Sequence, residues 1–335
     1  MKIDAEVAVD DPSEAAMLSK KAEAFGFDCL WVNETKHDPF LQLALAAKST
    51  KKIRLGTAIA LAFTRSPTTI AYTAWDLQRI SKGRLLLGLG SQVKGHIERR
   101  FGLQWQPPAP KMKDVVLALN AVWRSWQDGS RLSFRGSFFQ LDLMTPFFSP
   151  GKIEHPRIPV YVAGVNAAMC RVAGEVADGL HVHPLHTVKY LREVIEPALA
   201  SGVRRAGRKR GDVAVAASVF AAVGKNRKEI EKMKESYREQ IAFYASTRTY
   251  ARVLDLHGWR DVGERLHSLS IRGDWKGMPR EVGDDMLDEF VVEGGWDDIG
   301  QTLRRRYKGI VDRVRLYVPF DGKRSWQSLV MSFRA

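Results

Sequence analysis

The feature that most constrains the fold is an alternation of short apolar runs with longer segments of helical periodicity. The apolar runs are rich in β-branched residues or leucine, and in the segments between them apolar residues recur every three or four positions. The eight predicted strands are Ile3–Val9, Cys29–Val32, Ile53–Ile59, Leu85–Leu89, Pro159–Ala163, Gly179–His183, Val213–Val223 and Arg313–Val318. Strands that alternate with helices form parallel sheets with right-handed connections. Eight such units in 335 residues predict a closed (β/α)8 barrel, the TIM barrel.

The main alternative is a doubly wound open sheet, which would place a Gly-rich GxGxxG turn after the first strand. The residues there, Asp10–Ser13, have no glycine. Two stretches fall outside the regular units: an insertion at residues 91–158 after the fourth strand, with a predicted helix and a hairpin over Leu132–Leu141, and a polar stretch at Arg272–Asp285. No linker rich in Pro, Gly or Ser divides the chain, so we expect one domain over residues 1–335.

Composition narrows the class of protein and its partners. The net charge of +14 favours acidic partners, but the basic runs Arg204–Arg210 and Arg304–Lys308 lack interleaved aromatic residues and are typical of solvated helix ends. We therefore expect a small-molecule substrate rather than nucleic acid. No apolar run is long enough for a membrane span, and no signal peptide is apparent. The two isolated cysteines, Cys29 and Cys170, favour a reducing compartment, so we expect a soluble cytoplasmic enzyme.

In a barrel, the reactive residues follow the carboxyl ends of the strands. Glu34 and His37 follow the second strand, where a carboxylate beside an imidazole would form an acid–base pair near neutral pH. Gly164, Val165 and Asn166 follow the fifth strand and precede a helix, whose unpaired N–H groups favour an anion. The alternative is an ordinary surface loop at the first position and an ordinary βα turn at the second.

The sequence His181-Val182-His183 on the sixth strand allows two interpretations. Alternation places both imidazoles on one face, as metal ligands require. The seventh and eighth strands, however, offer no further ligand at their ends. We therefore expect one histidine packed inside the barrel, one at its mouth, and no metal. A Ser–His–Asp triad is also unsupported, since Gly88–Gln92 lacks the final glycine of a G-x-S-x-G elbow.

Four segments, taken in order and with their spacing, resemble the luciferase-like monooxygenase superfamily. They are Phe27–Glu34, Ile53–Ile59, Gly83–Ser91 and Ala173–Gly179. Three others resemble the branch of F420-dependent oxidoreductases. These are Glu34–Leu41, Arg65–Ser81 and Gly90–Gly102. The resemblance implies a TIM barrel with an insertion after the fourth strand, and often a homodimer. It implies coenzyme F420 as cofactor, or FMN as in other relatives.

The resemblance also implies where the cofactor would bind. The ring would lie in the barrel mouth against a bulge in the third strand that contains a cis peptide bond, its polar edge would meet the loop after the fourth strand, and its phosphate would sit after the fifth. The implied cofactor-binding residues are Ala58, Ile59, Gly90, Ser91, Gln92, Gly164, Val165, Asn166 and His183. Arg65 and Lys94 would hold the acidic tail, and Phe138, Phe139, Phe147 and Phe148 of the insertion would line the mouth.

The chain departs from the sugar-phosphate dehydrogenases of that branch at two positions. Thr35 stands where they have a catalytic histidine, and Gln92 or Val93 stands near the place of a glutamate. Sugar-phosphate oxidation is therefore not expected, and Glu34 or His37 is left to handle the proton. The favoured hypothesis is hydride transfer between F420 and a small organic substrate. The alternatives are an FMN-dependent monooxygenase, a polyanion-binding protein without catalysis, and a metal hydrolase. The substrate and the direction of transfer stay open.

Overall fold

The computed structural model describes residues 1–335 and confirms all eight predicted strands, among twelve in total. The strands are β1 (Lys2–Val7), β2 (Cys29–Val32), β3 (Arg54–Thr57), β4 (Ala60–Leu61), β5 (Leu85–Gly90), β6 (Phe134–Arg135), β7 (Gln140–Leu141), β8 (Val160–Gly164), β9 (Gly179–Val182), β10 (Ala214–Gly224), β11 (Val291–Gly295) and β12 (Arg313–Leu316). β1, β2, β3, β5, β8, β9, β10 and β12 pair in parallel in that order. The circle closes because β12 pairs with β1, so the predicted TIM barrel is confirmed.

Fourteen α-helices surround the barrel or belong to its insertions. They are α1 (Ala15–Phe25), α2 (Pro39–Ser49), α3 (Pro67–Ile80), α4 (Lys94–Arg99), α5 (Pro108–Asp128), α6 (Ala167–Val176), α7 (Val188–Tyr190), α8 (Glu196–Arg205), α9 (Arg227–Ala245), α10 (Ala251–Leu256), α11 (Arg260–Arg272), α12 (Asp284–Phe290), α13 (Ile299–Tyr307) and α14 (Ser325–Arg334). Most buried apolar side chains of strands and helices form one connected core of 85 residues, from Ile3 to Phe333, and five others form a separate cluster around Trp31. None of the helices combines the length and apolar character that a membrane crossing requires.

The structure differs from the sequence-based expectation at two places. The third strand ends at Thr57 rather than Ile59, and the chain pairs again at Ala60–Leu61, which lie beside β5. β11 was not predicted; it pairs with Phe220–Gly224, the half of β10 that extends beyond the strands on either side. The polar stretch Arg272–Asp285, for which no element was predicted, contains a short 3₁₀ helix, Met278–Glu281.

The barrel interior holds two ion pairs between β1 and β12. Asp4 and Glu6 alternate along β1, so both side chains point inward toward Arg313 and Arg315 on the neighbouring strand. The Asp4 carboxylate is 2.7 Å from an Arg313 guanidinium nitrogen and also accepts a 2.8 Å hydrogen bond from the Trp31 indole. Glu6 lies 2.5 Å from Arg315. Because the Glu6–Arg315 pair is one step nearer the carboxyl ends of the strands, it forms the floor of the mouth.

Candidate active site

The bulge after β3, residues 58–61, packs directly on the end of β5. The Ala58–Ile59 peptide is cis, as expected, and both residues are partly exposed. The Ala58 N–H donates to the Val32 carbonyl at 2.8 Å, and the Ile59 carbonyl accepts from the Glu34 N–H at 3.2 Å. A Cβ on Gly90 would lie only 2.6 Å from Ile59 Cδ1, so this position admits glycine alone without displacement of Ile59. The structure thus brings Ala58, Ile59 and Gly90 together in one surface.

Side chains of the loop after β5 form hydrogen bonds within the loop itself. The Ser91 hydroxyl donates to the Gln92 carbonyl at 3.0 Å, and the Gln92 side-chain oxygen accepts from the Val93 N–H at 2.9 Å. Gln92 has a φ of 60°, in the left-handed region. The Gln92 amide NH₂ has no protein partner. Ser91 and Gln92 are partly exposed, so this NH₂ group is a donor available to a ligand.

The turn after β8 presents unpaired backbone donors. Asn166 is the N-cap residue of α6, but its side chain makes no capping hydrogen bond, so it satisfies none of the first-turn N–H groups. Gly164 is tightly packed, since a Cβ there would lie 3.0 Å from Leu180 Cδ1. The Val165 carbonyl is fixed by the Tyr190 hydroxyl at 2.9 Å. This rigid turn at a helix N-terminus has the geometry and the partial positive charge that bind a phosphate.

The two histidines of the sixth barrel strand take the places expected for a packed pair. His181 is buried inside the barrel, against Trp31, and its Nε2 has no hydrogen-bond partner. His183 lies at the mouth, where its Nδ1 accepts from the Leu185 N–H at 3.1 Å and its Nε2 lies 3.1 Å from the Tyr250 hydroxyl. Both ring nitrogens of His183 are therefore engaged, and the Tyr250 hydroxyl proton is the donor left for a ligand.

Burial keeps the mouth histidines neutral. Burial, followed by the neighbouring His186, lowers the pKa of His183 to about 3, and burial lowers the pKa of His186 to about 4. In the unfolded chain both rings have a pKa near 6.5, so the unfolded state takes up protons first as the pH falls. We therefore expect these rings to lower the free energy of unfolding as the pH falls from about 6.5 to about 4 for His186 and to about 3 for His183.

An NMR titration of the imidazole carbon shifts tests this expectation, with the urea-unfolded chain as the reference. We expect the His183 and His186 signals of the folded protein to stay at their neutral positions down to pH 5. A midpoint near pH 6.5 for either ring in the folded protein would contradict the account.

Glu34 pairs with Arg65 and not with His37. The Glu34 carboxylate accepts from Arg65 at 2.8 Å and from the Leu61 N–H at 2.8 Å. No hydrogen bond or ion pair joins Glu34 to His37, so the structure does not bring the two residues of the predicted acid–base pair together. His37 is partly exposed and lies close enough to Asp10 to contribute to the lowered pKa of that carboxyl, behind the larger effect of Lys36. Both predicted proton-handling residues lie after β2, but they are not coupled.

Three polar residues at the mouth were missed by the sequence analysis. Glu6 accepts from Arg315 and, at 3.1 Å, from the Asn33 amide; burial raises its pKa, against the opposing effect of these two partners. The Tyr244 and Tyr317 hydroxyls lie 2.8 Å apart. Because that contact uses one hydroxyl proton, the other is free to be donated. The alternation of charged and apolar residues along β1 could have indicated that Glu6 points inward. No pattern in the sequence indicated that Tyr244 on α9 lies at the mouth.

The aromatic residues of the insertion do not converge as expected. Phe147 and Phe148 are largely exposed, and the Phe148 carbonyl accepts from the Tyr72 hydroxyl on α3, outside the barrel. Phe139 packs against the core. Trp105, also in the insertion, packs against Phe63 of the 3₁₀ turn Ala62–Thr64, with the ring centroids 6.3 Å apart.

Two other features bear on where the site lies. A cleft of about 1070 Å³ opens at the amino-terminal end of the strands, where its lining includes Met1, Arg304 and Asp312. Barrel enzymes carry their chemistry at the opposite end, and the polar groups described above are there. No group of three or more His, Cys, Asp or Glu side chains is arranged to hold a metal ion.

Proteins of similar sequence match this chain over about nine-tenths of its length. An uncharacterized protein of Mycobacterium tuberculosis is 46% identical over 302 residues, which cover 90% of this chain and 89% of the relative. The 5,10-methylenetetrahydromethanopterin reductase of Archaeoglobus fulgidus is 28% identical over 317 residues, covering 92% of this chain and 91% of that enzyme.

Solved structures share the fold over the whole chain. The coenzyme F420-dependent tetrahydromethanopterin reductase of Methanopyrus kandleri superposes with a TM-score of 0.79 at 24% identity, covering 98% of this chain and 96% of that one. An F420-dependent secondary alcohol dehydrogenase, solved with an F420–acetone adduct, gives a TM-score of 0.76 at 19% identity, covering 100% and 99%. The sequence profile of the luciferase-like monooxygenases matches residues 2–313. The chain belongs to the luciferase-like monooxygenase family.

Proposed function

We propose that this protein is an oxidoreductase that transfers a hydride between coenzyme F420 and a small organic substrate. The observation that carries the proposal is the single surface formed by Ala58, Ile59 and Gly90, with free helix N–H groups after Gly164 beside it on β8. Relatives that match over nine-tenths of the chain include reductases, and structural neighbours are named as F420-dependent.

The residues present fit this cofactor. A side chain at residue 90 would clash with Ile59, so the glycine allows Ile59 to pack on the end of β5, and the partly exposed Ala58 and Ile59 would contact the ring. The first turn of α6, with Asn166 and Val165, would hold the phosphate. His183 would act through Tyr250, because its own nitrogens are engaged. Coenzyme F420, when bound, supplies or accepts the hydride. Ser91 and Gln92 would meet its polar edge.

Two groups are candidates for the accompanying proton. His37 is partly exposed beside the mouth, and we retain it as an acid or base. Glu6 on the floor is the second candidate, because burial raises its pKa even though Arg315 is its ion-pair partner. The Arg65 pairing competes with the acid–base role predicted for Glu34.

Titration of the purified protein with F420 and with FMN tests the cofactor. We expect F420 to bind, seen as a change in its fluorescence, and FMN to bind at least about tenfold more weakly, a difference of about 1.4 kcal/mol. Tight binding of FMN with no binding of F420 would overturn the choice and favour the monooxygenase alternative. The net charge of +14 favours F420, whose phosphate and acidic tail exceed the charge of FMN. Lys94, 66% exposed and paired with Glu98 only at 3.9 Å, is the remaining candidate for the tail.

The variant Ala167→Pro tests the phosphate position. Proline at the first helical residue removes one N–H donor while the helix keeps its start, and Asn166 already has the extended backbone that precedes proline. We expect F420 affinity to fall by about tenfold, the value of one hydrogen bond to a charged group. Binding of the phosphate-free deazaflavin riboside is the control and should not change. Equal weakening of both ligands would show that the phosphate lies elsewhere.

We further propose a cytoplasmic homodimer. Cys29 and Cys170 are buried free thiols, as in proteins of reducing compartments. Leu41 and Leu45 lie one turn apart on α2 and are 67% and 42% exposed, which favours a covered helix face. Sedimentation equilibrium would decide the oligomeric state: a mass of one 37.7 kDa chain would contradict the dimer.

A further inference from the structure

One guanidinium joins the loop after β2 to the bulge after β3. Arg65 follows the 3₁₀ turn Ala62–Thr64, and its side chain is 19% exposed. One terminal nitrogen lies 2.8 Å from a Glu34 oxygen, and the other lies 2.8 Å from an Asp38 oxygen. The first nitrogen also donates to the Leu61 carbonyl at 3.2 Å. The charge of Arg65 is therefore paired with two carboxylates, and both of its terminal nitrogens are bonded within the protein.

Glu34 fastens the bulge at two further points. The carboxylate oxygen that meets Arg65 also accepts from the Leu61 N–H at 2.8 Å, and the Glu34 N–H donates to the Ile59 carbonyl at 3.2 Å. Leu61 pairs on its other side with Gly90 of β5. The bulge is thus held between β5 and the loop after β2, and Glu34 supplies both bonds on the loop side.

Asp38 fixes the other end of the arrangement. One of its oxygens accepts from the Phe40 N–H at 2.8 Å and caps α2, while the second meets Arg65. The Arg65 guanidinium also lies over the Phe40 ring, 5.4 Å from its centroid. Because α2 starts where Asp38 caps it, a single cation ties a helix start, a loop and the bulge into one unit.

We propose that Arg65 and Glu34 are positioning residues that fix the bulge against which the deazaflavin ring binds, and that neither handles a proton nor holds the acidic tail. This inference rests on the proposed function. It reassigns Glu34 from acid–base chemistry and Arg65 from tail binding. The geometry supports it because the hydrogen bonds and ion pairs of both side chains are made within the protein, with each other and with Asp38, Leu61 and Thr64.

The test compares conservative and disruptive variants by F420 titration. Glu34→Gln keeps an oxygen that accepts from Leu61 and Arg65 but cannot exchange a proton, so we expect its dissociation constant to stay within about threefold of the wild-type value. Arg65→Lys keeps the charge but cannot bridge two carboxylates, and Glu34→Ala removes the acceptor. Both should weaken F420 by about tenfold or more and move the absorption band of the bound ring toward that of free F420. Lys36→Gln, in an exposed ion pair with Asp10, is the control and should change neither.

The phosphate-free deazaflavin riboside separates the possible roles. If Arg65 positions the bulge, Arg65→Lys weakens the riboside as much as F420. Weakening of F420 alone would assign Arg65 to the tail and overturn the inference, as would unchanged binding in both Arg65→Lys and Glu34→Ala.

Hydrogen exchange of the Leu61 amide gives a readout that needs no cofactor. We expect exchange to speed up by at least about tenfold in Arg65→Lys and Glu34→Ala, but not in Glu34→Gln. Failure of wild-type protein to bind F420 overturns the proposed function, and with it the role assigned to the bulge. Faster exchange in the two disruptive variants would then show only that Arg65 and Glu34 hold the bulge in place. Unchanged exchange would overturn this positioning role even if F420 binds.

Discussion

Replacing Asp4 by alanine is expected to lower the free energy of unfolding by about 3–5 kcal/mol, the largest effect of any substitution considered for this protein. Asp4 is 1% exposed and Arg313 is 5% exposed, so the variant leaves a guanidinium in the barrel interior without its counter-ion. The Trp31 indole N–H also loses its acceptor. The cost arises from the charge and donor left behind rather than from the lost attraction alone.

Urea denaturation of wild-type protein, Asp4→Ala and the double variant Asp4→Leu/Arg313→Met measures this effect. The double variant removes both charges and fills the space with apolar groups, so we expect it to be more stable than Asp4→Ala. A loss below about 1 kcal/mol for Asp4→Ala would mean that water reaches Arg313, and the interior ion pair would then have the low value of a surface pair.

Gly88→Ala is expected to destabilise the barrel by about 3 kcal/mol or more, at the upper end of what overpacking costs. A Cβ at residue 88 would lie 1.9 Å from the Thr57 carbonyl oxygen and 2.8 Å from His181 Nε2. The Thr57 hydroxyl is bonded to both the carbonyl and the N–H of Gly88, at 2.6 and 2.9 Å, which holds the two strands at this separation. Because the obstacle is backbone, no side-chain rotation relieves it.

Thermal unfolding with F420 titration checks the prediction. Gly88→Ala should also weaken F420, since the bulge begins at Ala58, the residue after Thr57. Gly211→Ala is the matched control: a Cβ there meets nothing within 4 Å, and we expect an unchanged transition. An unaltered transition in Gly88→Ala would show that β3 and β5 are farther apart at this point than the structure gives.

Local patterns were enough to predict the barrel because most of its strands are apolar runs buried on both faces, and in β1 and β12 charged residues alternate with apolar ones. The strand that sequence reasoning missed, β11, has only two apolar residues and pairs because β10 extends beyond its barrel neighbours. The interior ion pairs were also missed. Asp4 and Arg313 are far apart in the chain, and a charge within a strand indicates nothing about its partner until the barrel closes.

The sequence predicted the turns that make up the candidate site, but it did not predict which side chains contact each other there. A turn such as Gly164–Asn166 is located by the end of the strand before it, and its hydrogen-bond donors belong to residues adjacent in the chain. The contact of Glu34 with Arg65 joins loops after different strands, and that of His183 with Tyr250 spans 67 residues. Such contacts depend on how loops fold over the mouth, for which the sequence carries no periodic signal.

The structure of the protein crystallised with F420 tests the central claim most directly. We predict the deazaflavin ring against Ala58, Ile59 and Gly90, and the phosphate at the first turn of α6 beside Val165 and Asn166. Density for F420 in the cleft at the amino-terminal end of the barrel, near Arg304, or a ring bound away from the bulge after β3, would contradict the account.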